Sequence, residues 1–88
     1  MIYIDHPRLI TPKKRKLFSH MISTISVDHL HEFAIKIQLK RHFFEKSSTG
    51  ICHYDVPEEF FDCAIQNGAW LLSSRDLVAR YRGAFPKK

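Results

Sequence analysis

The stretch LFSHMISTISVDHLHEFAIKIQ, residues 17–38, places a predicted strand directly before a predicted helix. Its first half reads as a strand, in which alternation puts His20 and Ile22 on the same face. From Val27 to Ile37 the apolar residues recur at helical spacing, and Ser26 is a suitable N-cap. A strand followed by a helix is the unit from which α/β domains are built.

The rest of the chain continues this alternation. Further strands are predicted at 1–4, 42–45, 51–54 and 69–72, the middle two as a hairpin. Further helices are predicted to begin at Asp55 and Ser73, each of which is followed three residues later by an acidic residue, as in a capping box. Strands alternating with helices favour a mostly parallel sheet. We therefore expect an α/β domain with a three- to four-stranded, mostly parallel sheet and about three helices.

Length and charge limit the function classes. The 88 residues suffice for a single domain, 1–88, with a basic loop at about 7–16 and a flexible tail at about 84–88. The formal net charge is +5, which suits polyanions or acidic partner surfaces. Nucleic acid or a host protein is therefore the predicted partner. The residues predicted to bind it are Lys13, Lys14, Arg15, Lys16 and Arg41. A merely solvated loop is the alternative interpretation.

The cysteine pattern argues against a disulfide or zinc framework. Cys52 and Cys63 are the only two cysteines, and their spacing matches no zinc motif. No apolar run approaches membrane-spanning length, and no signal-peptide pattern opens the sequence. We expect a cytoplasmic protein that is not associated with a membrane.

Several ionisable residues lie at the predicted carboxyl ends of strands, which a parallel sheet would bring to one edge. In such a sheet, ligands bind beyond the carboxyl ends of the strands. Asp5 follows the first predicted strand, and His53 and Asp55 lie at a predicted strand-to-helix junction. With His20, they are the candidate catalytic residues, because His near neutral pH serves as a general acid or base. The alternative is a structural role for each residue, in which Asp55 caps a helix and His20 is a hydrogen-bonded core histidine.

Metal binding is a weaker interpretation. Asp5, Asp55 and Asp76 have the oxygen ligands that Mg²⁺ prefers. A zinc site would have to be assembled from His20, Cys52, His53 or Asp55. Neither set has a recognised spacing, so the sequence predicts no cofactor and leaves a divalent metal as the alternative.

Several motifs occur together in a known order. They are Ile2-Tyr3-Ile4-Asp5, Ser19-His20-Met21, Leu30-His31-Glu32-Phe33-Ala34, His53-Tyr54-Asp55, and Ala64 with Gly68-Ala69. In these the chain resembles domain of unknown function 4031, found in small proteins of bacteria and tailed phages. The resemblance implies a phage or prophage setting in a bacterial host cell, and no established activity. Its motif positions map onto Asp5, His20, His31, Arg41, His53, Tyr54 and Asp55, with Tyr54 and His31 in supporting roles.

The chain departs from the family pattern at two places. Members often have Ala-Asp after the His-Met pair, where this chain has Ile22-Ser23-Thr24, which puts a carboxylate-rich metal site in doubt. A Trp is usual after the basic pair, where this chain has Phe43 or Phe44. A local similarity to PIN-type nucleases lies in the Asp that ends the first strand and in the segment 68–76.

Two functions follow as hypotheses. The first is a phage-type accessory protein that binds nucleic acid or a host protein that handles nucleic acid or serves in defence. The second is a small phosphoesterase or nuclease-like hydrolase that uses His53, Asp55, Asp5 and His20. The sequence alone does not decide whether the protein is an enzyme, and it leaves the oligomeric state open.

Overall fold

A computed structural model describes residues 1–9 and 15–86. These residues form an α/β fold with a five-stranded mixed sheet and three α-helices. The strands are β1 (Ile2–Ile4), β2 (Phe18–Ser23), β3 (Phe44–Lys46), β4 (Cys52–Pro57) and β5 (Trp70–Leu71). The helices are α1 (Val27–Lys36), α2 (Phe61–Gln66) and α3 (Ser74–Ala84), and short 3₁₀ turns precede β3 (Arg41–Phe43) and α2 (Glu58–Phe60). The α/β class and the three helices are as predicted.

The sheet is mostly antiparallel, which corrects the prediction of a mostly parallel sheet with three or four strands. The strand order is β3-β4-β2-β1-β5, and β1–β5 is its parallel pair. The cause lies in α1, which leads from β2 to the edge strand β3. The chain then turns back through a hairpin, so that β4 lies antiparallel between β3 and β2. Strand β3 therefore runs parallel to β2, but β4 separates the two strands, so the connection through α1 adds no parallel pair to the sheet.

The main core lies on one face of the sheet. Strand residues Ile4, Met21 and Tyr54 are at most 1% exposed and pack against Leu30 of α1 and Ala64 of α2. Alternation along the strands sends the intervening side chains to the opposite face. Helix α3 covers part of that second face, and the uncovered remainder forms a pocket.

Serine caps fix the starts of α1 and α3, as the sequence predicts. The Ser26 hydroxyl accepts a hydrogen bond from the backbone N–H of His29 at 3.0 Å, and the Ser73 hydroxyl accepts one from Asp76 at 3.1 Å. These bonds satisfy N–H groups that a helix leaves unpaired in its first turn.

Asp55 does not cap a helix, so that prediction is wrong. It lies inside β4, opposite His20 of β2, and the α-helix begins only at Phe61. Pairing with β2 extends β4 through Pro57, past the point where the capping-box spacing predicts a helix start. The three residues His53, Tyr54 and Asp55 therefore point alternately to the two faces of a strand instead of forming a strand-to-helix junction.

Strand β5 is more exposed than predicted. Residues 69–72 read as a buried strand, yet Trp70 is 61% exposed and Leu71 is 42% exposed. The strand is two residues long and lies at the sheet edge, where only β1 pairs with it. Among the described residues, no helix has the length and apolar character needed to cross a membrane.

Candidate functional site

Two neighbouring strands bring His20, His53 and Asp55 together on the face opposite the main core. His20 of β2 is the register partner of Asp55 of β4, and His53 precedes Asp55 by two residues, so all three point to the same side. The two imidazole rings lie with centroids 5.3 Å apart. The sequence placed His53 and Asp55 at a strand-to-helix junction and His20 within a strand. The structure places them within two antiparallel strands, and their proximity comes from this pairing.

A pocket of about 190 Å³ opens beside these side chains. It lies between the sheet, α3 and the β3–β4 turn. Its lining residues are Asp5, Arg8, His20, Ile22, Ser47, Thr49, Ile51, His53, Ser74, Leu77 and Val78. Three of the four candidate catalytic residues therefore line one cavity, and the fourth, Asp55, contacts His53.

Asp5 holds His20 in place. Its Oδ2 accepts hydrogen bonds from His20 Nδ1 at 2.9 Å and from the Ser74 hydroxyl at 2.7 Å, while Oδ1 accepts the backbone N–H of His20 at 2.6 Å. Burial to 1% exposure opposes ionisation, but these donors outweigh it and keep the pKa of Asp5 below its ordinary value. Asp5 is therefore an ionised acceptor that orients the imidazole of His20.

A backbone carbonyl orients His53. Its Nδ1 donates to the carbonyl of Ile51 at 3.0 Å, and its Nε2 lies 3.2 Å from Oδ1 of Asp55. Burial of the ring opposes protonation, but Asp55, the Ile51 carbonyl and the charge of Glu45 outweigh it and raise the pKa of His53. Because a carbonyl can only accept, the proton on Nδ1 is assigned by its partner, and Nε2 faces the carboxylate.

The Oδ1 atom of Asp55 is shielded from solvent and has no hydrogen-bond donor among the described residues. Its 3.2 Å contact with His53 Nε2 is within ion-pair distance, but it does not meet hydrogen-bond geometry. A buried carboxylate oxygen without a donor is costly and is uncommon in native proteins. The atom is therefore placed to receive a proton or a cation that is shared with His53.

The pocket rim adds a positive charge and hydroxyl groups. Arg8 is half-exposed, and its Nη2 lies 3.8 Å from Oδ2 of Asp5. Ser47 and Thr49 of the β3–β4 turn contribute hydroxyls to the lining, and Ser74 contributes the first residue of α3. Sequence reasoning missed the role of Ser47 and Thr49, since a Ser-Ser-Thr-Gly segment signals only a turn.

Tyr54, His31 and Arg41 do not join this pocket. The Tyr54 side chain points into the main core, where its hydroxyl and Nδ1 of His31 form a hydrogen bond of 2.6 Å. Burial raises the pKa of Tyr54. Burial lowers the pKa of His31, and the nearby charge of Arg41 lowers it further. The two residues predicted to support the site instead form a neutral hydrogen-bonded pair within the core.

The basic loop is described only in part. Lys13 and Lys14 lie outside the described residues. Arg15 and Lys16 are exposed, and the Lys16 ammonium bonds to Glu59 at 3.1 Å. The hypothesis that this run binds a polyanion stays a prediction.

Of the two metal sets considered from the sequence, the zinc set contains the three residues that lie close together in the structure, whereas the Mg²⁺ set shares only Asp55 with them. Among residues 1–9 and 15–86, one group of possible ligands is close enough to share an ion, namely His20, His53 and Asp55. Asp5 contacts His20 instead of joining this group, Cys52 is outside it, and Asp76 is exposed in the first turn of α3.

Comparison with known proteins gives one match. The family described as "Protein of unknown function (DUF4031)" matches residues 2–84. The chain therefore belongs to this family, as its motifs indicate. No curated protein and no solved structure matches the chain.

Proposed function

We propose that this protein is a small hydrolase that acts on a phosphoester in the pocket beside His20 and His53. The observation that carries the proposal is the convergence of two imidazoles and a carboxylate on one small volume at the pocket wall. Two histidines with fixed rings, next to a buried carboxylate oxygen without a donor, are unusual for a structural cluster.

The cluster suits activation of water. Asp5 and the Ile51 carbonyl each occupy an Nδ1 atom, so the Nε2 lone pairs are left to act. Lone pairs from these nitrogens and from Asp55 Oδ1 increase the nucleophilicity of a water molecule held between them. Attack of that water on phosphorus breaks the P–O bond to the leaving group, and protons pass from the water to the departing oxygen through the cluster.

Charge favours a phosphoester over a neutral ester as the substrate. Arg8 presents a guanidinium at the pocket rim, and such a group binds phosphoryl oxygens well. The net charge of +5 raises the local concentration of anionic substrates in general. A volume of about 190 Å³ accommodates a phosphoryl group and part of its substituent, which suits the end or one linkage of a larger molecule.

Hydrolysis of bis(p-nitrophenyl) phosphate and of a short single-stranded oligonucleotide tests the proposal, in buffer supplemented with divalent metal ions. We expect turnover by the wild type and a loss of about 100-fold or more in kcat/KM for His53→Ala, the usual range for losing an acid–base group. His42→Ala is the matched control, because His42 is exposed and stacks on Phe43 away from the pocket. The absence of turnover, or equal turnover in wild type and His53→Ala, would overturn the proposal.

A binding role is the second candidate, favoured by the net charge and by the exposed Arg15. It requires salt-dependent retention of DNA or RNA, since release of counterions drives such binding. Replacing Lys13, Lys14 and Arg15 with alanine should then weaken binding at low salt and flatten its salt dependence. Binding that is unchanged in this variant would argue against the basic loop.

A further inference from the structure

The three side chains of the cluster offer their ligand atoms at close range. One nitrogen from His20, one from His53 and one oxygen from Asp55 all lie within 4.8 Å of one another. They come from two paired strands of a sheet, so the backbone that positions them is held by ladder hydrogen bonds. Precise ligand placement is easier on such elements than on loops.

Both histidines use Nδ1 for a hydrogen bond. The Nδ1 of His20 donates to ionised Asp5, and the Nδ1 of His53 donates to a carbonyl. Each ring is thereby held in the tautomer whose Nε2 carries a lone pair. A metal-binding histidine typically donates its other nitrogen to a carboxylate or a backbone carbonyl in this way. Here His20 donates to the carboxylate of Asp5, and His53 donates to the backbone carbonyl of Ile51.

Asp55 completes the donor set. Its buried Oδ1 has no hydrogen-bond donor among the described residues and lies 3.2 Å from Nε2 of His53. Zinc binds nitrogen and oxygen ligands at about 2.0–2.2 Å, which puts two ligands of a tetrahedral ion about 3.4 Å apart. The distance between these two atoms is therefore close to that required for a shared ion, and a modest side-chain movement brings in His20.

We propose that Nε2 of His20, Nε2 of His53 and Oδ1 of Asp55 bind one divalent transition-metal ion of the zinc class. Two imidazoles and one carboxylate suit such ions better than Mg²⁺ or Ca²⁺, which prefer all-oxygen ligands. Three protein ligands leave a coordination position open, the arrangement of catalytic as opposed to structural zinc sites. His20 and His53 also line the pocket, and Asp5 is the positioning residue of His20.

The inference deepens the proposed hydrolysis and rests on the same atoms, because an ion held by these lone pairs would activate the water in their place. Metal binding itself is measured without substrate. After removal of metal with a chelator, titration calorimetry with ZnCl₂ should give one equivalent of bound Zn²⁺. Cobalt(II) should give the intense visible absorption of a four- or five-coordinate ion. His53→Ala and Asp55→Asn should each weaken Zn²⁺ binding by about 100-fold or more, and Asp5→Asn by about 10- to 100-fold.

The controls separate this site from other histidines and from folding. His42→Ala should leave the Zn²⁺ affinity unchanged, and circular dichroism checks that each variant folds. If His53→Ala does not fold, Asp55→Asn serves in its place, because asparagine preserves the size of the side chain. Absence of stoichiometric binding, or equal affinity in Asp55→Asn and wild type, overturns the metal site.

Different experimental results would contradict the hydrolase proposal and the metal-site proposal. Stoichiometric Zn²⁺ binding without phosphoester turnover supports the metal site and overturns the hydrolase. Turnover by a protein that binds no stoichiometric Zn²⁺ supports the hydrolase and overturns the metal site.

Discussion

The two sides of β4 each carry a histidine cluster, and the clusters differ in how complete they are. On the core side, Tyr54 forms a direct hydrogen bond of 2.6 Å with His31, within an aromatic group that includes Phe44. On the other side, His53 and Asp55 face one another at 3.2 Å without a hydrogen bond. Satisfied buried groups stabilise a fold, whereas unsatisfied ones cost free energy unless a ligand completes them. This difference indicates that His31 is a structural residue, whereas His53 is a candidate functional residue.

The largest effect on stability is expected for Asp5→Ala, which removes the buried carboxylate that holds His20 on the pocket side of the sheet. Three donors from His20 and Ser74 lose their acceptor. Because Asp5 is almost fully buried, we expect the free energy of unfolding to fall by about 3 kcal/mol. Urea unfolding measures it, and Ser74→Ala, which removes a single donor, should cost only about 1 kcal/mol. If Asp5→Ala were as stable as wild type, these bonds would not contribute to stability.

A smaller effect on stability is expected on the core side for Tyr54→Phe. This change keeps the ring but removes the hydroxyl that forms a hydrogen bond with Nδ1 of buried His31. We expect a loss of about 2 kcal/mol in the free energy of unfolding, with Zn²⁺ affinity and turnover unchanged. Unfolding and metal titration of the same preparation test both parts. A variant that keeps its stability but loses Zn²⁺ affinity would contradict the separation between the two sides of β4.

The smallest effect is a pH dependence that arises from His31. The pKa of this residue is lowered in the folded state from 6.5, so the unfolded state binds more protons between the two values. Stability from this residue is therefore complete above about pH 6.5 and falls as the pH decreases towards the folded pKa, by about 1.4 kcal/mol for each pH unit between the two values. Arg41 strengthens the effect, whereas Asp28 opposes it.

Unfolding of wild type and His31→Gln between about pH 5 and pH 7.5 measures this contribution. The variant should show a flatter dependence over the acidic part of the range, because glutamine does not titrate. Equal slopes in the two proteins would show that His31 titrates alike in the folded and unfolded chains.

Local patterns predicted the helices and strands better than their arrangement. The caps at Ser26 and Ser73 follow from contacts within four residues, so the sequence reveals them directly. Strand direction depends on where the chain goes after α1, which is a long-range property. The same limit explains Asp55, whose spacing to Glu58 fits a helix start even though pairing with β2 keeps it in a strand.

The gathering of Asp5, His20, His53 and Asp55 was predicted for a reason that the structure does not bear out. The expected cause was a shared carboxyl end of parallel strands. The actual cause is alternation on two antiparallel strands, which puts His20 and Asp55 opposite one another. Alternation also sends Tyr54 to the core, where it contacts His31 of α1, whereas His53 faces the pocket.

That pairing has a consequence for folding fidelity. His20 and Asp55 are 35 positions apart in the chain and meet only in the register His20↔Asp55. A slip of one residue would turn one strand's side chains to the opposite face, burying an imidazole or a carboxylate in the core and exposing Met21 or Tyr54. A wrong register therefore costs free energy on both faces of the sheet, because ionisable side chains become buried and apolar side chains become exposed. An ion bound by residues of both β2 and β4 would stabilise the correct register of these strands. Ion binding during refolding would then show that the two strands have paired.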